Sequence, residues 1–228
     1  MMSLAEDGRP LTLTWNYTPR EILADGIIHG LGVALGLAGA VFLILTAVSA
    51  HLALGEQAAV VVYALALVAM LGVSATYNLY PVSPRKWLLR RADHALIYLM
   101  IAGTYTPLVA LVGSGPMAYG LLAVIWIVAL VGIAVKLLLP GRFDRLSIAL
   151  YLILGWSGLL AYESVIAALQ PTALCLLAIG GVLYSVGVVF HVWRTLPFQN
   201  AIWHGFVLLA TICHYGTIWS SLRSIPIS

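Results

Sequence analysis

Charge is what this sequence has least of. Only 8% of its 228 residues are Asp, Glu, Lys or Arg, while 62% are hydrophobic; soluble globular chains carry about 25% charged residues. A chain of this size cannot cover a water-facing surface with so few charges, so lipid is the solvent for most of it. Cysteine is nearly absent too. Cys175 and Cys213 both lie in apolar runs, which excludes a disulfide framework and any zinc-finger spacing. Internal repeats, low-complexity tracts and dividing linkers are missing. The polar stretch Met1–Arg20 lacks the basic start and short apolar core of a signal peptide, so the first apolar run is expected to be retained. A formal net charge of +3 gives no reason to invoke nucleic acid as a partner.

What the chain does have is long apolar runs. A crossing needs about 20 mostly apolar residues. Seven stretches meet that length, near Leu23–Ala50, Gln57–Tyr80, His94–Val112, Met117–Leu139, Leu146–Leu169, Ala173–Trp193 and Ala201–Leu222. Turn chemistry separates them, as in Gly113-Ser-Gly-Pro116 and Pro140-Gly-Arg-Phe-Asp-Arg145. The predicted fold is an all-α membrane protein, a seven-transmembrane helix bundle over residues 23–224 behind a cytoplasmic segment over 1–22.

The cations give the orientation. With the N-terminus inside, Arg9, Arg20, Arg85, Lys86, Arg90, Arg91, Lys136, Arg142, Arg145 and Arg194 all fall on the inner side, and only Arg223 falls outside. The positive-inside rule then puts the N-terminus in the cytoplasm and the C-terminus on the extracytoplasmic side of the inner membrane.

Ionisable residues inside lipid are costly and point to function. With this topology Glu21, Asp25 and His29 on helix 1, Ser74 and Asn78 on helix 2, and Asp93 and His94 on helix 3 share one depth near the inner leaflet. His191 on helix 6 and Asn200 and His204 on helix 7 lie at the same level. Asp25 and His29, Ser74 and Asn78, and Asn200 and His204 are each four apart, so each pair shares a helix face. His214 lies ten residues beyond His204, about 15 Å deeper, in a mid-membrane layer.

Several blocks carry a family resemblance: Asp25-Gly-Ile-Ile-His29-Gly, Ser74-x-x-Tyr-Asn78, Arg-Arg-Ala-Asp93-His94 running on to Thr-Tyr-Thr-Pro107, Pro140-Gly-Arg-Phe, and Leu-Pro-Phe-Gln-Asn200-Ala-Ile-Trp-His204. In order and over roughly Glu21 to Leu222, the chain resembles the hemolysin III family. That family is the bacterial branch of the progestin and adipoQ receptor superfamily, with the alkaline ceramidases as more distant kin. The resemblance implies a zinc ion near the cytoplasmic side. Its ligands are a histidine four residues after the helix-2 serine and two histidines four apart on helix 7, with the helix-3 aspartate near the metal-bound water. Ser74, Asp93 and His204 match that pattern. Asn78 and Asn200 stand where it has histidine.

Two readings of that departure stay open. In one, zinc is held weakly by one imidazole, a carboxylate and two amides, although zinc favours nitrogen and thiolate ligands and amide oxygens suit harder cations. In the other, Asn78 and Asn200 hydrogen-bond to Asp93, Ser74 and each other in a metal-free network. A rearranged site could also recruit His191, whose place beside Trp193 equally suits an interfacial residue.

The other polar residues are read in the same way. Glu21, Asp25 and His29 form either an outer shell and proton path or a helix cap favoured by the dipole. His94 packs or orients Asp93, and His214 is either an interhelical hydrogen-bonding residue or, with His94 and His191, part of an outer shell or proton path. His51 is solvated, and Glu163 is given no chemistry. Trp87, Trp193 and Trp203 are membrane-interface anchors, and Pro107 eases packing within helix 3.

Three function classes remain. With metal, the site would carry out hydrolysis, and the resemblance to ceramidase-like proteins implies a lipid amide or ester as substrate: the ion would activate water, with Asp93 as base or orienter and Ser74 as donor. Without metal, a receptor or regulator of membrane state fits the asparagines. A pore-forming protein is the third class, but the helices lack a polar stripe through mid-membrane. Membrane lipid is the expected partner or ligand, and the pattern specifies no oligomeric state.

Overall fold

The computed structural model describes residues 15–112, 115–139, 141–161, 163, 166–167 and 169–223. Seven α-helices and one 3-10 turn make up the described chain: α1 Pro19–Ser49, α2 Leu54–Leu79, α3 Pro84–Val112, α4 Pro116–Leu138, α5 Asp144–Trp156, α6 Pro171–Val192 and α7 Gln199–Arg223. The 3-10 turn, Ser157–Ala161, follows α5. Arg9 and the other residues before Trp15 lie outside the described residues, as do Pro140 and parts of the turn before Pro116.

Proline starts four of these helices, at Pro19, Pro84, Pro116 and Pro171. The first turn of a helix has no use for the N–H that proline lacks, and its fixed φ suits that position. Helix α1 is capped more fully. The Thr18 hydroxyl accepts the Glu21 N–H, and Glu21 accepts the Thr18 N–H at 2.8 Å, a reciprocal capping box. The other Glu21 oxygen accepts the Phe198 N–H at 2.8 Å, where the backbone turns left-handed (φ 58) just before α7. Glu21 therefore fixes the start of α1 against the start of α7.

Among the described residues, six helices are long and apolar enough to cross a membrane: α1, α2, α3, α4, α6 and α7. The fifth predicted stretch departs from a continuous helix. Its α-helix stops at Trp156 after 13 residues and tightens into the 3-10 turn. Gly155 and Gly158 weaken the helix there, and Tyr105 of α3 takes up the groups that are released. Its hydroxyl accepts the Gly158 N–H at 2.8 Å and donates to the Gly155 carbonyl at 2.9 Å. Half of the predicted stretch beyond Ala161 lies outside the described residues.

Helix α3 touches α2, α4, α5 and α7, and α7 in turn touches α6, α1 and α3. One core cluster joins α1, α2, α3 and α7 through Leu43, Val60, Tyr63, Leu67, Met100 and Ile218. A second joins α3, α4 and α5 around Tyr98, Ile125, Ala129 and Leu154. The outward face of α1, with Leu23, Ile27, Leu31, Leu35 and Leu45, is left exposed, as a lipid-facing surface should be.

The cations after α2 do more than mark one side of a membrane. Helix α3 begins at Pro84, ten residues before its apolar run, so all four cations sit on its opening turns. Lys86 is buried, and its ammonium donates to the carbonyls of Asn78 and Tyr80 at 3.0 and 2.8 Å, closing the C-terminal end of α2. Arg90 is buried over the Trp87 ring and bonds Asp144 at 3.0 Å, and Lys136 bonds the other Asp144 oxygen at 2.7 Å. A single carboxylate thus ties α3, α4 and α5 together at this end. Trp87 is nearly fully buried, a correction to its reading as an interface anchor, because the Arg90 guanidinium covers it. Trp193 is half exposed.

Candidate functional site

Asp25 and His29 lie one turn apart on α1 and face inward, both 5% exposed. Opposite them, the first turns of α7 present Asn200 and His204. Beside both, the last turns of α2 present Ser74 and Asn78. These six side chains meet at one end of the bundle, as their shared depth predicts.

Their centre is Asp25. One carboxylate oxygen lies 2.6 Å from His204 Nδ1. The other accepts the Asn200 amide at 2.8 Å and lies 3.6 Å from His29 Nε2. The same Asn200 nitrogen donates to the Asn78 oxygen at 2.9 Å. Asn78 in turn donates to the Ser74 carbonyl at 2.9 Å. An unbroken chain of polar contacts therefore runs from α2 through α7 to α1.

That chain tests the zinc arrangement implied by the family resemblance. A carboxylate accepts only, so the face of Asn200 turned to Asp25 must be its N–H₂ group. The Asn78 oxygen is engaged by that same group. Asn200 thus offers its N–H₂ group to Asp25 and to Asn78, Asn78 offers its own to the Ser74 carbonyl, and the Asn78 oxygen that would have to reach a metal beside His204 is already bonded. The Asn78 oxygen is therefore not free for a metal in this arrangement, and neither amide supplies the imidazole nitrogen that zinc favours. The two asparagines form the polar network anticipated from their types, with one change: its acceptor is Asp25, not Asp93. Asp93 lies nearby on α3 and interacts with the Ser74 side chain.

Asp25 and His29, read from sequence as an outer shell, proton path or cap, are instead at the core of the site. Asp25, His29 and His204 each offer a ligand atom, and these atoms lie within 4.8 Å of one another. Among the described residues no other group of three or more His, Cys, Asp or Glu is gathered in this way. The His29 and His204 rings stand 4.4 Å apart. His29 Nε2 is buried with no hydrogen-bond partner.

Two clefts meet at His204. A narrow polar one is lined by Tyr17, Tyr77, Asn78, Arg90, Asp93, His94, His191 and Arg194, among others. A narrow apolar one lies between α1, α2 and α7, walled by Ile28, Met70, Leu71, Val207 and Leu208, with His29 and Ser74 at its polar side. His204 lines both. Trp15 and Tyr17, which precede α1, fold under the polar cleft, and the Trp15 indole donates to the Tyr77 hydroxyl at 3.0 Å. Burial raises the pKa of the Tyr17 hydroxyl above its ordinary value, so it stays protonated.

The remaining predicted residues divide by depth. His94 and His191 line the polar cleft, their rings 6.4 Å apart. His191 stacks against Trp203 at 4.8 Å, so it is placed for an outer role and not beside Asp25. Glu21 serves the capping box and the α7 start described above. His214 packs against Tyr184 at 5.5 Å and against Gly180, where a methyl group would overlap its ring. It does not join the site. His51 and Glu163 are exposed. Sequence reasoning passed over Trp15, Tyr17, Tyr77, Arg90 and Arg194 as cleft residues. The aromatic pair in an otherwise polar leader was the available signal for the first two.

A profile of the family described as Haemolysin-III related matches residues 18–215 of the chain. A "Hemolysin-3 homolog" of Bacillus subtilis (strain 168) is 38% identical over 195 residues, covering 84% of this chain and 90% of the relative. "Hemolysin-3" of Bacillus cereus is 37% identical over 189 residues, covering 83% and 86%. A human "Monocyte to macrophage differentiation factor" is 33% identical over 174 residues, covering 72% and 71%.

The network ranks its own members. Asn200→Leu removes a bond to the Asp25 carboxylate as well as the Asn78 contact and should destabilise the protein by about 2 kcal/mol; Asn78→Leu removes two bonds to neutral partners, one of them within its own helix, and should cost about 1 kcal/mol. Denaturant unfolding in detergent measures both, and a larger loss for Asn78→Leu would contradict the network.

Proposed function

The chain belongs to the hemolysin III family, and from that premise we propose that it is a seven-crossing protein of the cytoplasmic membrane that binds a membrane lipid at the inner leaflet and hydrolyses its amide or ester bond. The single observation that carries the lipid reading is the junction of clefts at His204. One is polar and holds Arg90, Arg194, Tyr17 and Tyr77; the other is apolar and faces the bundle seam. An amphiphile with a polar head and a hydrocarbon tail demands such a pair, and its carbonyl would lie where they join.

Asp93 is the group in the polar cleft suited to take a proton from water. The Ser74 hydroxyl beside it orients the carboxylate, and the guanidinium and phenol donors lining the cleft can stabilise charge developing on a carbonyl oxygen. The asparagine pair favours a second reading. If the hydrolytic machinery is incomplete, the same clefts bind lipid without turning it over, and the protein is a receptor or regulator of membrane state. Pore formation has less support, since the polar residues gather at one end of the bundle.

The orientation proposed is N-terminus inside, supported by the cation distribution and by the meeting of the α1, α3, α5 and α7 starts with the α2, α4 and α6 ends. The fifth crossing would combine α5, about 20 Å long, with the 3-10 turn, about 10 Å more, close to the roughly 30 Å of a hydrocarbon core.

Two experiments test this. In vesicles carrying a ceramide-type amide or a phosphoglyceride, the protein should release free fatty acid, and Asp93→Asn should lower the rate about 100-fold or more. Lipid-dependent stabilisation without product would support the regulator reading instead. Alkaline phosphatase fused after Arg223 should be active, and fused after Arg142 inactive; the reverse pattern would overturn the orientation.

A further inference from the structure

We propose that Asp25, His29 and His204 bind one divalent transition-metal ion of zinc type, at the seam between α1 and α7. Two of the three ligands come from α1, and Asn78 and Asn200 are not ligands. This arrangement shares only His204 with the ligand pattern that the family resemblance implies. It does not depend on the lipid reading, since it concerns what the ion touches and not what the protein turns over.

The first support is the gathering itself: three ligand atoms within 4.8 Å of one another, from residues at most 8% exposed. Asp25 and His29 are four apart on one helix, which aims both side chains at the same point on α7. The 3.6 Å between Asp25 Oδ2 and His29 Nε2 is near the roughly 3.4 Å that separates two ligands on one tetrahedral zinc ion at 2.0–2.1 Å.

The second support is independent of that clustering. His29 Nε2 is buried and has no hydrogen-bond partner, although an acceptor carboxylate stands beside it. Asp25 spends its short contacts on His204 and Asn200, leaving His29 Nε2 aimed into the site at 3.6 Å, beyond hydrogen-bond distance. A purely hydrogen-bonded Asp–His pair between helices would need no second imidazole 4.4 Å from the first. A metal ion gives that nitrogen a bond.

The donor set chooses the metal. Two imidazole nitrogens and one carboxylate suit zinc and its first-row neighbours; calcium and magnesium prefer all-oxygen sites. Three protein ligands leave a position for water or a ligand oxygen, on the side where His204 lines the polar cleft. The asparagines then gain a definite task. Asn200 holds the Asp25 oxygen and Asn78 holds Asn200, the outer hydrogen bonding that orients a ligating carboxylate.

Metal content and thermal stability of the full chain in detergent test the proposal, with zinc chloride as the probe and activity left aside. After zinc equilibration and removal of excess, elemental analysis should find about one zinc per chain. Asp25→Asn and His29→Gln should each lower zinc affinity at least tenfold, and Asn200→Leu should lower it about 10- to 100-fold. Asp93→Asn, outside the ligand set, should retain the metal. Zinc should raise the melting temperature of the unaltered protein and leave that of His29→Gln unmoved, which separates metal loss from misfolding. X-ray absorption at the zinc edge should show two imidazoles. Retention of zinc by His29→Gln at unaltered affinity, a single-imidazole spectrum, or no zinc retained by the unaltered protein would each overturn the assignment. Failure of lipid hydrolysis would not.

Discussion

A carboxylate buried at the end of a membrane bundle is costly unless its oxygens are engaged, and Asp25 meets that condition by drawing on two side chains of α7. Its contacts to His204 and Asn200 hold α1 against α7, and the onward bond from Asn200 to Asn78 brings in α2. The rest of the site follows from that one group. His29 is placed because it lies one turn along the same face. The clefts meet at His204 because its ring is held by Asp25 between the polar end of the bundle and the apolar seam.

The surrounding structure keeps the ends of those helices in place. Lys86 closes the carbonyl end of α2 just where Asn78 sits, so the residue that orients Asn200 is itself on a capped turn. Glu21 anchors the start of α1 to the backbone that leads into α7. Asp144 gathers Arg90 and Lys136 and so fixes the α3 end that carries Asp93. The same cations that suit a cytoplasmic face therefore do mechanical work within the protein. Burial of Lys86, Arg90 and Lys136 without such partners would be prohibitive.

Much of this could be read from residue types and spacing. Apolar run length located the helices, and four-residue spacing paired the side chains that share a face. Depth along the chain brought helices 1, 2, 3, 6 and 7 to one level. What spacing does not carry is the choice of partner across helices. Asp25 near the start of a helix looks like an ordinary dipole-favoured acid, and only the packing of α1 on α7 makes it the centre of the site. Likewise Gly155 and Gly158 announce a weak point in the fifth stretch, but the group that compensates, the Tyr105 hydroxyl, lies some fifty residues away. Asp144 was an acid among cations in a short turn; its two partners depend on where α3 and α4 end.

The claim on which everything else rests is that Asp25 and His204 are directly coupled. A double-mutant cycle with Asp25→Asn and His204→Gln, read by equilibrium unfolding with a metal chelator present, measures that coupling alone. A coupling energy above about 1.5 kcal/mol is predicted for a buried, charge-assisted contact. Additive losses, within about 0.5 kcal/mol, would mean that the two side chains do not hold each other and that Asp25 is not the centre of this site.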